Sequence, residues 1–202
     1  MLLENINLTG HFLIAMPALT DPYFSKSVTF ICAHNQDGAM GVVINRPTDI
    51  TYNALFEKIN VELINSSIAN QPVLYGGPVQ PERGFVLHPA TKLKDGDPQI
   101  DNWDSSITIA ENTALTTSKD ILEAVALGEG PEKMLLTLGY AGWTPGQLEQ
   151  EIAQNAWLSV QPKDVSSLHS ILYEMQHEKR LDATMALLGI NFGMLSDEAG
   201  HA

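Results

Sequence analysis

The sequence predicts an α+β fold built on a mostly antiparallel or mixed sheet. Short apolar runs of strand length, bounded by Gly, Pro, Asn and Asp, outnumber the stretches with helical spacing. The two kinds of segment do not alternate regularly, which argues against a doubly wound parallel sheet. The chain has 202 residues with no internal repeat and no Pro/Ser-rich linker. We therefore expect one domain over residues 1–202.

The first third of the chain predicts three strands followed by a helix. The strand candidates are residues 12–15, 28–34 and 40–45. A turn cluster at residues 35–38 separates the last two, which predicts a hairpin with a loop of four or five residues. Residues 52–59 carry apolar side chains at helical spacing, behind the capping candidates Asp49 and Thr51.

The remaining strand candidates are again short apolar runs: residues 73–75, 85–88, 106–110, 134–138 and 157–160. Residues 76–81 contain too many Gly and Pro residues for a regular element. Residues 89–104 are polar and predict an exposed loop.

Three further helical segments follow from capping and stop signals. Thr117 with Asp120 resembles a capping box, and Gly128 suits the end of that helix. Thr144 can cap a helix over residues 145–154, because Pro145 fits the first turn and Gln147 can reach back to the cap N–H. The tail predicts one or two helices ending at Gly189.

The charge balance bears on partners. The chain carries 24 acidic against 11 basic side chains, a formal net charge of −13. Nucleic-acid binding depends on clustered Lys and Arg. The two short basic clusters, Lys92 with Lys94 and Lys179 with Arg180, are both adjoined by acidic residues. We therefore expect no direct contact with nucleic acid.

The cysteine count and the apolar runs bear on location. The single cysteine, Cys32, cannot form an internal disulfide, and no basic residue precedes Lys26, which argues against a secretory signal peptide. The longest apolar runs fall well short of the roughly 18 residues that a spanning helix needs. We expect a cytoplasmic protein without membrane association.

Several blocks of the sequence resemble the bacterial YqgE/AlgH family. Near the amino terminus these are Gly10–Pro17, Asp21–Phe24 and Gly38–Pro47. Later in the chain they are Leu74–Val79, Gly84–His88, Gly139–Trp143 and Gln147–Glu149. Because the blocks occur in the family's order and cover nearly the whole chain, the chain is identified as a member.

The resemblance implies an α+β fold in which a strongly bent mixed or antiparallel sheet approaches a pseudo-barrel and is flanked by helices. It also implies a cytosolic protein of unassigned biochemistry. One branch of the family is labelled a transcriptional regulator, and the family has no agreed catalytic residues. This sequence departs from the family at Ala33, where an acidic residue is expected.

The first candidate site consists of Cys32 and His34. Two residues apart on a strand, their side chains are expected on the same face of the sheet, where an imidazole can stabilise a thiolate. That arrangement suits a nucleophilic or redox role. The competing interpretation is a small buried hydrophobe beside a strand-end histidine, and the apolar neighbours Phe30 and Ile31 favour it.

The second candidate site is a pocket for an anion. Asn45 and Arg46 offer a guanidinium at a strand end, while the backbone N–H groups of Gly76 and Gly77, before Pro78, can approach a ligand closely. The structural alternative is that Arg46 pairs with a carboxylate of the chain. Gly76-Gly77-Pro78 would then be a turn that needs positive φ.

The sequence lacks the common signatures of metal and cofactor sites. The remaining histidines have no ligand spacing, and there is no Gly-x-Ser-x-Gly elbow, phosphate-binding Gly-Lys-Ser/Thr loop or Cys-x-x-Cys pair. We expect no metal and no cofactor. The leading hypothesis is a non-enzymatic protein that recognises a protein partner or a small ligand, including indirect regulation of transcription. The alternative is a small-molecule or redox enzyme using Cys32, His34 and Arg46.

Overall fold

The structure is a computed structural model that describes residues 7–92, 98–99, 103–110 and 112–191. Its strands are β1 (Phe12–Ala15), β2 (Val28–Asn35), β3 (Gly38–Val43), β4 (Pro47–Thr51), β5 (Pro72–Tyr75), β6 (Val79–Pro89), β7 (Thr91–Lys92), β8 (Pro98–Gln99), β9 (Ser106–Ala110), β10 (Thr113–Thr116), β11 (Leu135–Trp143) and β12 (Trp157–Val160).

The helices are α1 (Tyr52–Lys58), α2 (Lys119–Leu127), α3 (Gln147–Ala153), α4 (Val165–His169) and α5 (Arg180–Ala186). A π-helical turn, Ser170–Glu174, continues α4, and a 3-10 turn, His177–Lys179, leads into α5. Strands and helices together confirm the predicted α+β class.

Ten of the strands form one strongly curled, mostly antiparallel sheet with the shape of a half-barrel. The order along it is β12-β1-β2-β3-β11-β6-β10-β9, and β4 and β5 branch from β11. The long strand β11 makes this branching possible. Its first half pairs with β6 and, in parallel, with β5, while Ala141–Trp143 pairs with β3. β11 therefore joins the two halves of the sheet.

A large core lies between the sheet and the carboxy-terminal helices, and we call it the inner cluster. It contains Phe12, Phe30 and Cys32 from the sheet, with Leu172 of the π-helical turn and Met185 of α5. These side chains are nearly or completely buried. The helical tail thus covers one face of the curled sheet.

Two smaller cores cover other parts of the sheet. The α3 cluster includes Leu8, Leu13, Ile31, Trp143, Leu148 and Trp157. The α1–α2 cluster includes Phe56, Val73, Ile121, Val125 and Leu136. Strand β1 is buried on both faces, since Phe12 belongs to the inner cluster and Leu13 to the α3 cluster. That explains its continuous apolar sequence.

Several predicted boundaries were wrong. Only Gln36 and Asp37 separate β2 from β3, so the hairpin loop has two residues instead of four or five. Residues 79–81 begin strand β6, although their composition predicted an irregular segment. Within the predicted loop 89–104, Pro89 ends β6, while β7 pairs with β8. Residues 93–97 and 100–102 of that loop lie outside the described part of the chain.

The helix signals were partly right. Gly128 ends α2 in the left-handed conformation, with φ of 80°, as predicted, but the N-cap is Ser118 instead of Thr117. Helix α3 begins at Gln147, two residues later than predicted, because Gly146 adopts φ of 76° as its N-cap. The Gln147 side chain still accepts the N–H of Thr144, at 2.9 Å. Across the described residues, every helix is too short or too polar to span a bilayer.

Candidate functional site

Cys32 lies in the inner cluster with only 2% of its surface exposed. Its Sγ donates to the carbonyl oxygen of Phe30 at 3.7 Å. Burial disfavours the charged thiolate and raises the pKa of Cys32 well above its ordinary value. The thiol is therefore protonated at neutral pH in the folded protein, where a nucleophile would need to be a thiolate.

A β-bulge separates Cys32 from His34. In the β2–β3 register Ile31 lies opposite Gly41, whereas Ala33 lies opposite Met40, so Cys32 is the extra residue. A bulge breaks the alternation of side chains between the two faces. The prediction that Cys32 and His34 share a face was wrong: Cys32 packs in the inner cluster, and His34 lies across from Ala39 of the α3 cluster.

His34 serves as a buried connection between three segments. Its Nδ1 accepts the backbone N–H of Leu8 at 3.1 Å, and its Nε2 lies 3.0 Å from Oε1 of Glu149. Since Nδ1 accepts, the ring hydrogen belongs on Nε2, which donates to the carboxylate. The backbone N–H of His34 also donates to the hydroxyl of Thr9. The imidazole thus ties β2 to helix α3 and to the segment before β1.

Asn45 and Arg46 hold the loop that precedes β2. The Nη1 and Nη2 atoms of Arg46 donate to the carbonyl oxygens of Pro22 and Ser25, at 2.5 and 2.6 Å. Asn45 accepts the N–H of Val28 at 2.8 Å, and it donates to the carbonyl of Lys26 at 3.0 Å. The Arg46 guanidinium is thus bonded to the backbone, and no carboxylate among the described residues forms an ion pair with it.

Gly76 and Gly77 permit a close crossing of two strands. The N–H of Gly76 donates to Leu138 O at 2.8 Å, so it is already used. A Cβ on Gly76 would lie 2.2 Å from Gly139 O, and one on Gly77 would lie 2.1 Å from the carbonyl carbon of Tyr140. Only glycine fits such an approach. Pro78, the next residue, is exposed.

The structure brings some of the candidates together and separates others. The N–H of Tyr75 donates to Arg46 O at 2.7 Å, which places Asn45 and Arg46 beside the glycine pair. Cys32 and His34 lie on β2, where the thiol donates to Phe30 O of the same strand and His34 pairs with Glu149 of α3. The predicted residues thus form separate structural groups.

Sequence reasoning missed Arg180, a buried cation on α5. Only 5% of its surface is exposed. Nη1 donates to Ile44 O, Nη2 donates to Leu172 O at 2.9 Å, and Nε has no partner among the described residues. Burial lowers the pKa of Arg180 to about 10. A signal was present in the spacing, because Arg180 lies one turn before Thr184 on the helix face that also carries Met185.

Arg180 lines a cavity of about 490 Å³ between helix α1, strand β5 and the carboxy-terminal turns, which we call the Arg180 cavity. Tyr52 lies in its wall with the apolar side chains of Leu74, Met134 and Leu135. Its mouth carries polar groups: Ser67, Asn70, Gln71, Gln176 and Glu178. For a metal, the part of the chain that is described offers no cluster of three or more His, Cys, Asp or Glu residues.

The curled half-barrel with its helical tail defines the class: an α+β protein whose candidate site groups are largely built into the fold. Residues 12–193 match the DUF179 family, which is described as AlgH-like. The chain belongs to this family. The resemblance found in the sequence blocks is thereby confirmed.

Relatives and solved structures agree with this membership. A UPF0301 protein of Ralstonia nicotianae is 52% identical over 98% of this chain and 96% of its own length. A UPF0301 protein of Thiobacillus denitrificans is 50% identical over 99% of this chain and 100% of its own length. The solution structure of AlgH from Pseudomonas aeruginosa matches with a TM-score of 0.74 and 43% identity, over 97% of this chain and 96% of that one.

A crystal structure of a Corynebacterium diphtheriae protein shares the fold. Its TM-score is 0.58 at 23% identity, over 78% of each chain.

Proposed function

We propose that the chain acts by recognition, binding a protein partner or a small ligand in the bacterial cytoplasm, without bond-making chemistry of its own. The observation that carries the proposal is the structural use of the reactive candidates. The Cys32 thiol is buried and protonated, His34 is bonded on both ring nitrogens, and the Arg46 Nη groups donate to two backbone carbonyls. Groups that are buried or hydrogen-bonded within the fold in this way stabilise it and are not free to react with a substrate.

The net charge argues against direct DNA contact. A net charge of −13 opposes the phosphate backbone of a duplex, which is bound through clustered basic side chains. Regulation through a partner protein needs no basic surface on this chain. The proposed recognition function therefore accommodates an effect on gene expression without direct DNA contact.

The experiment combines partner capture with variants of the thiol. The full chain and its Cys32→Ala variant are used as bait in a bacterial lysate at near-physiological salt, and bound proteins are quantified by mass spectrometry. Each enriched candidate is purified and tested for stoichiometric binding, and each bait is assayed against a small-molecule substrate panel. We expect both baits to bind the same partner or ligand. Turnover that Cys32→Ala abolishes would instead establish the redox or small-molecule enzyme.

A further inference from the structure

The charge of Arg180 is buried with no directly bonded carboxylate among the described residues, and Glu178 acts on it only from a distance. Its two Nη groups donate to the neutral carbonyls of Ile44 and Leu172. Across the described ranges no carboxylate lies within ion-pair distance of it. Glu178, at the mouth of the Arg180 cavity, is 67% exposed and pairs with His177 at 3.1 Å. A buried cation is costly unless an anion accompanies it, so this side chain favours an anionic guest.

Two hydrogen-bond donors of the cavity wall have capacity left. The Nε–H of Arg180 is buried without an acceptor among the described residues. The Tyr52 oxygen accepts the N–H of Leu136 at 3.3 Å, which leaves its own O–H free to donate. Tyr52 and Arg180 line the same cavity, so both donors are offered to one anionic group bound there.

The rest of the cavity selects for an organic guest. Leu74, Met134 and Leu135 give the wall an apolar part, and the mouth carries amide side chains such as Asn70 and Gln176. A volume of about 490 Å³ lies within the range of small-molecule sites. A guest with an anionic head and a short apolar body matches this distribution.

The negative charges around Arg180 limit how many charges the ligand carries. The carbonyls of Ile44 and Leu172 take one hydrogen from each Nη group, so the number of remaining donors does not separate a carboxylate from a phosphate, and the surrounding charge does. The rim adds the carboxylate of Glu178 and that of Glu174, which pairs with Lys133, and the whole chain is strongly acidic. These negative charges disfavour a dianion more than a monoanion.

Building on the proposed recognition function, we infer that the Arg180 cavity binds a small organic monocarboxylate, whose head accepts hydrogen bonds from Arg180 and Tyr52. The apolar body of the ligand lies against Leu74, Met134 and Leu135. The ligand of the recognition role is then a monocarboxylate, bound away from Cys32, His34 and Arg46.

The test is a titration of the isotope-labelled full chain with hexanoate, followed by the backbone amide signals. Hexanamide, which has the same shape without the charge, is the matched ligand, and inorganic phosphate at pH 7.5 represents a dianion. We expect saturable shifts at Asn70, Gln71 and Gln176 with hexanoate. We expect binding of hexanamide to be at least about tenfold weaker, since a charge-assisted hydrogen bond is lost.

Variants localise the site without depending on the buried cation, because Arg180→Met removes two structural hydrogen bonds and can impair folding. At low salt, Gln176→Glu adds a negative charge at the mouth and should weaken hexanoate binding about two- to threefold. Glu178→Gln removes one and should strengthen binding by a similar factor, about two- to threefold. Gln154→Glu, an exposed change at the C-cap of α3, controls for net charge and should leave the affinity unchanged.

Each outcome decides the inference. Equal binding of hexanoate and hexanamide, tighter binding of phosphate, shifts outside the cavity, or no saturable shift at all would overturn the monocarboxylate site. Equal effects of Gln176→Glu and Gln154→Glu would also overturn it. If hexanoate does not bind in the Arg180 cavity, a stoichiometric protein partner from the capture experiment would still support the recognition function. Turnover lost in Cys32→Ala would overturn that function instead.

Discussion

Nε2 of His34 donates to Oε1 of Glu149 across 3.0 Å, joining the end of strand β2 to helix α3. The side chain of His34 is 2% exposed and that of Glu149 is 25% exposed, so water competes little for this bond. Because Nδ1 accepts the N–H of Leu8, the ring is neutral and held in one tautomer. The histidine that sequence reasoning paired with Cys32 is a structural connection.

We predict that His34→Ala destabilises the protein by about 2–4 kcal/mol, because it creates a cavity and leaves the N–H of Leu8 without its acceptor. Glu149→Gln is the matched variant. The amide oxygen can still accept from Nε2, so its cost should stay below about 1 kcal/mol. Urea unfolding of both variants measures the difference. A His34→Ala variant as stable as the wild type would show that the hydrogen bonds of His34 do not stabilise the fold.

We predict that ionisation of Cys32 weakens the fold in alkaline solution. The folded pKa of the thiol is raised, so its stabilising effect is complete below the unfolded pKa, near 9, and is lost as the pH rises above it. At pH 10 the thiol should cost the wild type about 1–1.5 kcal/mol relative to pH 7.5.

Cys32→Ala is the control for this pH effect, since it keeps every other titrating group, including Tyr52, whose pKa is raised to about 12. Urea unfolding at pH 7.5 and pH 10 gives the loss in free energy of unfolding for each protein, and the variant's loss is subtracted from that of the wild type. A difference of zero would mean that the thiol ionises equally well in the folded chain, which would restore the thiolate hypothesis.

We predict that Arg46→Met loosens the loop that precedes β2. The variant loses the two hydrogen bonds to Pro22 and Ser25, at a cost of about 1–3 kcal/mol. Hydrogen exchange at residues 23–27 should become faster while the inner cluster stays protected. Arg83→Met, at an exposed arginine, should change stability by less than about 1 kcal/mol. Unchanged exchange in Arg46→Met would contradict the anchoring role.

We predict that Gly139→Ala is severely destabilising, by more than about 3 kcal/mol. Gly139 has φ of 71°, and a Cβ there would lie 2.3 Å from Gly77 O, where two backbones cross. Gly146→Ala is the control for backbone strain without a steric clash. Gly146 also has a positive φ, of 76°, but nothing lies within 4 Å of the new Cβ. This variant should cost only about 1–2 kcal/mol. Thermal unfolding compares the two, and similar losses would refute the steric argument.

Local sequence signals predicted the elements that carry their own periodicity or end signals. The apolar run Phe12–Ala15 is β1, the stop at Gly128 ends α2, and Gln147 reaches back to Thr144 as its spacing indicates. Strand β10, Thr113–Thr116, was not predicted because its apolar run is only the two residues Ala114 and Leu115. Its two threonines are fully buried only because β6 and β9 flank the strand.

By itself the sequence determined the α+β class, the family and most of the strands, because period, turn residues and ordered blocks are properties of neighbours along the chain. Tertiary structure alone decided which polar groups meet. The bulge at Cys32 follows from pairing with β3, and the burial of Arg180 follows from carbonyls that lie 136 and 8 residues away. Such contacts depend on register and packing between distant segments, which no local pattern of residues encodes.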